Sequence, residues 1–406
     1  MIGEKLKEAR MEMSISQKQL AGESSLTRSY ISMIENGHTV PSQRTLERLA
    51  YILRKPLHYF HGETSEQIEV IAAGYLSKAE SILIQEDSEA GLEWLDRVEK
   101  LNLDDFLWVK SFLMRMEFWI SRKRYSDAYH TYMERKLYLE KINDRTLGYE
   151  INMKIAKLLF RMERFHDSIT HYQVAVKKIS GLKSYHMAAA EGYTYLGTCH
   201  LRVGNNECAL KAYLSAFELA QLEGNVKQLG DISMGIGKAY FLEKELVKSK
   251  MWTIKCIQYY KHQSINDYMT AVHNLAIIER KMGNLKVYRE KLAKCLWYSR
   301  RNNEELFSKC LLELALYKFI LTHLDQAQVY CKKSLEIISY TESTYARGEI
   351  FRLLGAVYLL KENQDLAYFF IQASSDLFRR IPLTSEASMS SDLLKKNKAE
   401  IMEIFT

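Results

Sequence analysis

Residues 16–37 read SQKQLAGESSLTRSYISMIENG, and their punctuation predicts two short helices joined by a tight turn. Ser16 is a favoured N-cap, and Gln19 three residues later completes a capping box, so the first of the two helices begins there. Leu20 and Ala21 then point inward. Thr27 caps the next helix, whose apolar stripe is Tyr30, Ile31 and Ile34. Asn36-Gly37 ends it, because glycine tolerates the backbone turn that follows a helix C-terminus.

The flanks fit the same small helical domain. Upstream, Ile2, Leu6, Ala9 and Met13 recur at helical spacing and predict an amphipathic first helix. Downstream, Pro41-Ser42 precedes a fourth helix carrying Leu46, Leu49, Ala50 and Leu53, and a short fifth runs from Leu57 to Phe60.

The segments SQKQLA, LTRSYISMIENG, PS..TLERLA and PLHYF together resemble the DNA-binding domain of the XRE/Cro-repressor helix-turn-helix family. Ser24-Ser25 stands where that family usually has Leu-Gly, while Leu26 still supplies the apolar plug of the turn. In such domains the N-terminal end of the recognition helix meets base edges in the major groove. Here that end offers Thr27, Arg28 and Ser29, then Ser32 and Met33 one turn on. Arg28 suits a bidentate contact to guanine or a phosphate clamp; Met33 suits only a thymine methyl or a sugar. Gln17 is placed to bond a phosphate or brace the first base contact, and Asn36 and Arg44 flank the farther phosphates. The resemblance further implies that Arg10 and Glu35 form a partly buried ion pair joining the first and third helices.

Charge alone does not make this case. The chain carries a formal +7 over 406 residues, yet residues 1–65 hold nine Lys/Arg against seven Asp/Glu, so the DNA reading rests on motif geometry. Only 3 prolines occur, which favours long uninterrupted helices. The opening MIGEKLKEAR is charged from its fourth residue and no apolar run approaches the roughly 18 residues of a membrane span, so a cytoplasmic protein without membrane contact is expected. Six cysteines lie at 199, 208, 256, 295, 310 and 331 with no CxxC pair, as expected of reduced structural thiols.

Beyond residue 65 the sequence repeats itself. Ala128, Ser168, Ala209, Ser249, Tyr288, Ala327 and Ala367 follow one another at gaps of 40, 41, 40, 39, 39 and 40. Seven residues after them stand Ala175, Ala216, Cys256, Cys295, Ser334 and Ser374. Twelve before stand Ala156, Gly197, Gly237, Ala276, Ala315 and Gly355, each preceded by a large apolar residue. Small residues at fixed places on both helices of a pair let neighbours pack closely, and the large ones fill the layer between them. This pattern resembles tetratricopeptide repeats stretched to 39–41 residues, which stack into a right-handed superhelix with a concave face. The expected architecture is all-α: an XRE/Cro-type helix-turn-helix domain over 1–65, a repeat array over 66–383 whose first two pairs are degenerate, and a capping helix over 384–406.

In tetratricopeptide arrays the first helix of each pair lines the groove. Counting from Ala276 and its equivalents gives Lys157, Thr198, Met234, Lys238, His273, Asn274, Ile277, Arg280, Lys309, Leu312 and Arg352 as candidate ligand contacts. Asn274 suits the clamping of a peptide backbone, since one carboxamide can both donate and accept. Lys309 and Arg352 suit a carboxylate. No GxxxxGK[ST], HExxH or GxSxG occurs and the histidines show no metal spacing, so no enzyme, metal or cofactor is expected.

A head and array of this length together resemble the Rap–NprR–PlcR–PrgX group of peptide-pheromone receptors, with NprR-like regulators nearest in layout. That resemblance implies a quorum-sensing transcription factor. It would bind a short signalling peptide in its groove, form a homodimer or higher oligomer, and meet a palindromic double-stranded operator with two heads. Two alternatives stand beside it: an adaptor whose array grips a response-regulator protein, and a peptide-independent repressor with a structural array.

Overall fold

Capping and apolar spacing set the helices of the head. They are α1 (Ile2–Glu12), α2 (Gln17–Ser24), α3 (Arg28–Glu35) and α4 (Gln43–Ile52). The capping box at Ser16 forms in both directions: its hydroxyl accepts from the Gln19 amide at 3.2 Å, and the Gln19 side chain accepts from the Ser16 amide at 2.7 Å. Leu6, Ala9, Leu20, Ala21, Ile31, Ile34, Leu46, Leu49, Ala50, Leu53 and Phe60 close into one core. The computed structural model describes residues 2–55, 59–60, 65–85, 88–101, 105–338, 344–381 and 384–405. Tyr59 and Phe60 are helical, while Leu57 lies outside the described residues.

Two details of the head depart from the sequence reading. Met13 lies beyond the end of α1 and is exposed, and the buried face of that helix is Gly3, Leu6 and Ala9. Gly3 is needed because α1 lies directly on α3: a Cβ there would come 2.2 Å from the Ile34 carbonyl oxygen. At the turn, Ser25 adopts the left-handed conformation (φ +53°) that glycine would take at less cost. Ser24 is buried, its hydroxyl donating to the Leu20 carbonyl at 2.6 Å, and Arg48 donates to the Ser24 carbonyl at 2.9 Å.

The remaining described helices are α5 (Ser65–Glu80), α6 (Gly91–Glu99), α7 (Asp105–Ser121), α8 (Tyr125–Leu139), α9 (Arg145–Arg161), α10 (Phe165–Ile179), α11 (His186–Arg202), α12 (Asn206–Glu223), α13 (Val226–Leu242) and α14 (Leu246–Tyr260). They continue as α15 (Ile265–Lys281), α16 (Leu285–Asn302), α17 (Glu304–Ile320), α18 (Leu324–Ile338), α19 (Thr344–Leu360), α20 (Gln364–Arg380), α21 (Thr384–Asp392) and α22 (Lys398–Phe405). No strand occurs among the described residues. The chain divides into two compact units, Met1–Met162 and Glu163–Thr406, so helices α5 to α9 fall in the same unit as the head.

The repeat registers are packing positions. Ala128, Ser168, Ala209, Ser249, Tyr288, Ala327 and Ala367 are all fully buried, as are Ala175, Ala216, Cys256, Cys295, Ser334 and Ser374. Within a pair, the small residue of the first helix receives the side chain sixteen residues on: Gly197 faces the Tyr213 ring, Gly237 faces Thr253, and Gly355 faces Ile371. The turn between the two helices also repeats. Five residues before each register position the backbone is left-handed, at Lys123, Glu163, Gly204, Lys244, Gly283, Thr322 and Glu362.

In the degenerate first pairs, ion pairs replace small-residue packing. Arg135 reaches Glu99 at 2.8 Å, and Arg115 reaches Asp96 at 2.6 Å. All six cysteines are free thiols, and only Cys208 is not fully buried. The expected single helix over 384–405 is two helices: Leu393–Lys395 make a tight turn, and Asn397 restarts the chain by accepting from the Glu400 amide at 3.0 Å.

Candidate functional site

At the front of the head, α3 begins with exposed Thr27, Arg28 and Ser29, followed by half-buried Ser32 and exposed Met33 and Asn36. The Thr27 hydroxyl is occupied in capping α3, accepting from the Tyr30 amide at 3.2 Å. The Asn36 side chain donates to the Ser32 hydroxyl at 3.3 Å. Arg28 and Arg44 are exposed and form no ion pair among the described residues.

Gln17 is placed differently from its expected outward role. Its amide donates to Glu35 at 2.8 Å, completing a cluster in which Arg10 grips the same carboxylate at 2.6 and 2.9 Å. Arg10 also donates to the Ile15 carbonyl at 3.0 Å. Burial pushes the Glu35 carboxyl up, but the hydrogen bonds from Arg10 and Gln17 and the Arg10 charge outweigh it and hold it below 4.5. A buried carboxylate needs its lone pairs satisfied, so the Gln17 amide is recruited inward.

In the second unit, the first helices of successive pairs wall a cavity of about 990 Å³. Lys238, His273, Asn274, Ile277, Lys309 and Leu312 line it. Lys157, Thr198, Met234, Arg280 and Arg352 do not. Lys157 belongs to α9 of the first unit. Thr198 bonds the Tyr213 hydroxyl at 2.9 Å, and Met234 packs beside Cys256, Tyr260 and Ala271. Arg280 is buried in an ion pair with Glu313 at 2.5 Å, and Arg352 is buried between Glu386 and Glu349. Both arginines join one repeat to the next rather than facing the groove.

Phase is not the reason: Lys157 and Thr198 stand one residue after the small residue of their helix, and Met234 and Arg352 three before, the same offsets as side chains that do line the cavity. Relative to the small residue of each first helix, much of the lining comes from positions 6, 3 and 2 before it and 1, 4 and 5 after it: Thr270, Lys309, His273, Leu312, Asn274, Glu313, Lys238, Ile277, Leu201, Arg202 and Leu242. These offsets make one helical stripe. Arg280, four residues after Ala276, shares its offset with Leu201, which lines the cavity, but its guanidinium is taken up by Glu313. Arg202, Glu313 and Glu349 fall on it and were not singled out in the sequence, although the repeat spacing already contains them.

Charge is unevenly spread along the cavity. Lys238 is open to the solvent of the groove while surrounded by its walls; desolvation there and the nearby Arg202 and Lys309 charges lower its pKa from 10.5, with Glu349 opposing. Burial pushes Glu349 up from 4.5, with Arg352 opposing and Glu386 adding to the rise. Glu349 also accepts from the Tyr345 hydroxyl at 3.2 Å. His273 is only 5% exposed, and its Nε2 has no hydrogen-bond partner. Desolvation lowers its pKa from 6.5 despite Glu313, the Lys309 backbone and the Asn274 side chain, which favour the charged ring.

The helix-turn-helix family HTH_3 matches residues 6–60. No curated protein sequence matches the chain. Among solved structures, the apo form of RapI superposes with a TM-score of 0.59 at 16% identity, covering 68% of this chain and 99% of that one. Aspartyl phosphate phosphatase F from Bacillus subtilis gives 0.56 at 16% identity, covering 93% of both chains. The Rap conjugation gene regulator of plasmid pLS20, in complex with the Phr* peptide, gives 0.51 at 15% identity, covering 95% of this chain and 97% of that one. No helix among the described residues is long and apolar enough to cross a membrane. The chain therefore has an XRE-type helix-turn-helix domain at its N-terminus, followed by a helical-repeat array of the fold seen in Rap proteins.

Proposed function

We propose that the chain is a non-catalytic, cytoplasmic quorum-sensing transcription regulator. Its α3 reads DNA, and a short peptide in the groove of its second unit governs how two copies meet an operator. The observation that carries this reading is the repeat-built cavity in a chain that also holds a helix-turn-helix domain. The cavity's walls offer a backbone-binding carboxamide at Asn274, apolar side chains at Ile277 and Leu312, and charges of both signs. An extended peptide needs that combination.

The charge count of residues 1–65 supports pairing: a single head offers few phosphate contacts, so useful affinity comes from two heads on a two-fold site. The peptide must then bind one arrangement more tightly than another, because a ligand of equal affinity for both shifts nothing.

The test is selection of DNA from a randomised pool by the full chain, repeated with a synthetic short-peptide library present. A two-fold symmetric consensus, with occupancy changed by some peptide fraction, is expected. Enrichment of no sequence would end the DNA reading; enrichment indifferent to every peptide would end the ligand reading.

A further inference from the structure

The cavity is lined by charges of both signs, with Glu163 and Asp167 among the carboxylates, yet some of its cations are left without an ion pair. Arg202 on α11, Lys238 on α13 and Lys309 on α17 all line it, and all three are exposed to its solvent. Neither Arg202 nor Lys238 forms an ion pair among the described residues. Lys309 touches Glu305 at 2.6 Å, one turn back on its own helix and itself exposed, and such a pair is weak enough to yield to a ligand. The carboxylates nearer the other end are committed: Glu313 to Arg280, and Glu386 and Glu349 to Arg352. Against the same cavity stands His273, nine-tenths buried with its Nε2 unpartnered, a state that costs free energy until something bonds it.

Holding Lys238 and Arg202 in the walls without an ion pair is a cost borne by the empty protein. At Lys238, desolvation chiefly lowers the pKa, Arg202 and Lys309 lower it further, and Glu349 opposes them.

We propose that Arg202, Lys238 and Lys309 form a carboxylate site, and that the ligand of this groove presents a carboxylate to them. This rests on the peptide reading above and narrows it to peptides whose C-terminus or acidic side chain is free. Lys238 is the central member, because its helix α13 comes between α11 and α17 in the order of the repeats.

The test compares the wild-type full chain with Lys238→Met and Lys238→Gln. A short-peptide library is offered in three forms: unmodified, C-terminally amidated, and with Asp and Glu replaced by Asn and Gln. The unmodified library should bind wild type about 10- to 100-fold more tightly than either variant, as expected for a charge-assisted bond. Loss on amidation assigns the carboxylate to the C-terminus; loss on Asp and Glu replacement assigns it to a side chain. Equal binding of all three forms overturns the site and leaves the peptide reading standing, whereas no binding of any form removes the peptide reading itself. A second measurement needs no peptide. Citrate, against chloride at matched ionic strength, should raise the Tm of wild type and not of either variant, and without citrate both variants should melt higher than wild type. Equal citrate shifts in all three proteins, or variants that melt no higher, overturn the proposal.

Discussion

At the scale of single residues, His273 and Arg28 make different demands. His273 is buried neutral, so its folded pKa lies below that of the unfolded chain. Between those two values the unfolded chain binds more protons, and stability therefore rises with pH up to about 6.5 and falls on acidification. Denaturation of wild type and His273→Gln at a series of pH values checks this: the variant should lose the part of the acid sensitivity that lies below that point. An unchanged profile would mean that His273 has no part in the acid sensitivity. Arg28 is exposed and has no internal ion pair, so Arg28→Ala should leave stability nearly unchanged while weakening binding to a selected operator by about 1–3 kcal/mol. Footprints of equal strength would show that α3 does not read the bases through Arg28.

At the scale of elements, α1 and α3 touch through backbone. With Gly3 against the Ile34 and Glu35 carbonyl oxygens, Gly3→Ala forces the helices apart and should cost about 1–3 kcal/mol, read in urea denaturation of the full chain. A loss below the error of the measurement would show that α1 shifts freely. Most of the helices were legible in the sequence because caps and small residues act locally: Ser16, Thr27 and the register at Ala209 or Ala367 need no tertiary information. Gly3 was not legible, because its reason lies in a helix thirty residues away. The groove was legible as a surface but not residue by residue: Thr198, Met234 and Arg352 share the offsets of residues that line it. Spacing places a side chain on a face without saying what it bonds there, and a long cation goes where a buried carboxylate waits. Gln17 moved inward for the same reason. Ion-pair partners such as Glu313 for Arg280 and Glu386 for Arg352 carry no periodic signal, so only the fold reveals them.

At the scale of the whole chain, the second unit is built from neighbours in sequence, with one return. The last helix, α22, comes back to α17, where Phe405 packs edge-on to Phe319 with ring centroids 5.1 Å apart. The Phe405 carbonyl also accepts from Arg280 at 3.4 Å. Arg280 in turn holds Glu313, and Glu313 lines the cavity. A ligand that tightens the Glu313 carboxylate therefore tightens the grip on the chain's end, while one that competes for Arg280 loosens it. Carboxypeptidase digestion should report this, because fraying of a terminal helix is what exposes it to cleavage. A peptide that binds the groove should change the rate of trimming from the C-terminus in wild type and leave it constant in Arg280→Met. On that account the last residues of the chain are an external gauge of an internal event, and a protease that never enters the groove can tell whether it is filled.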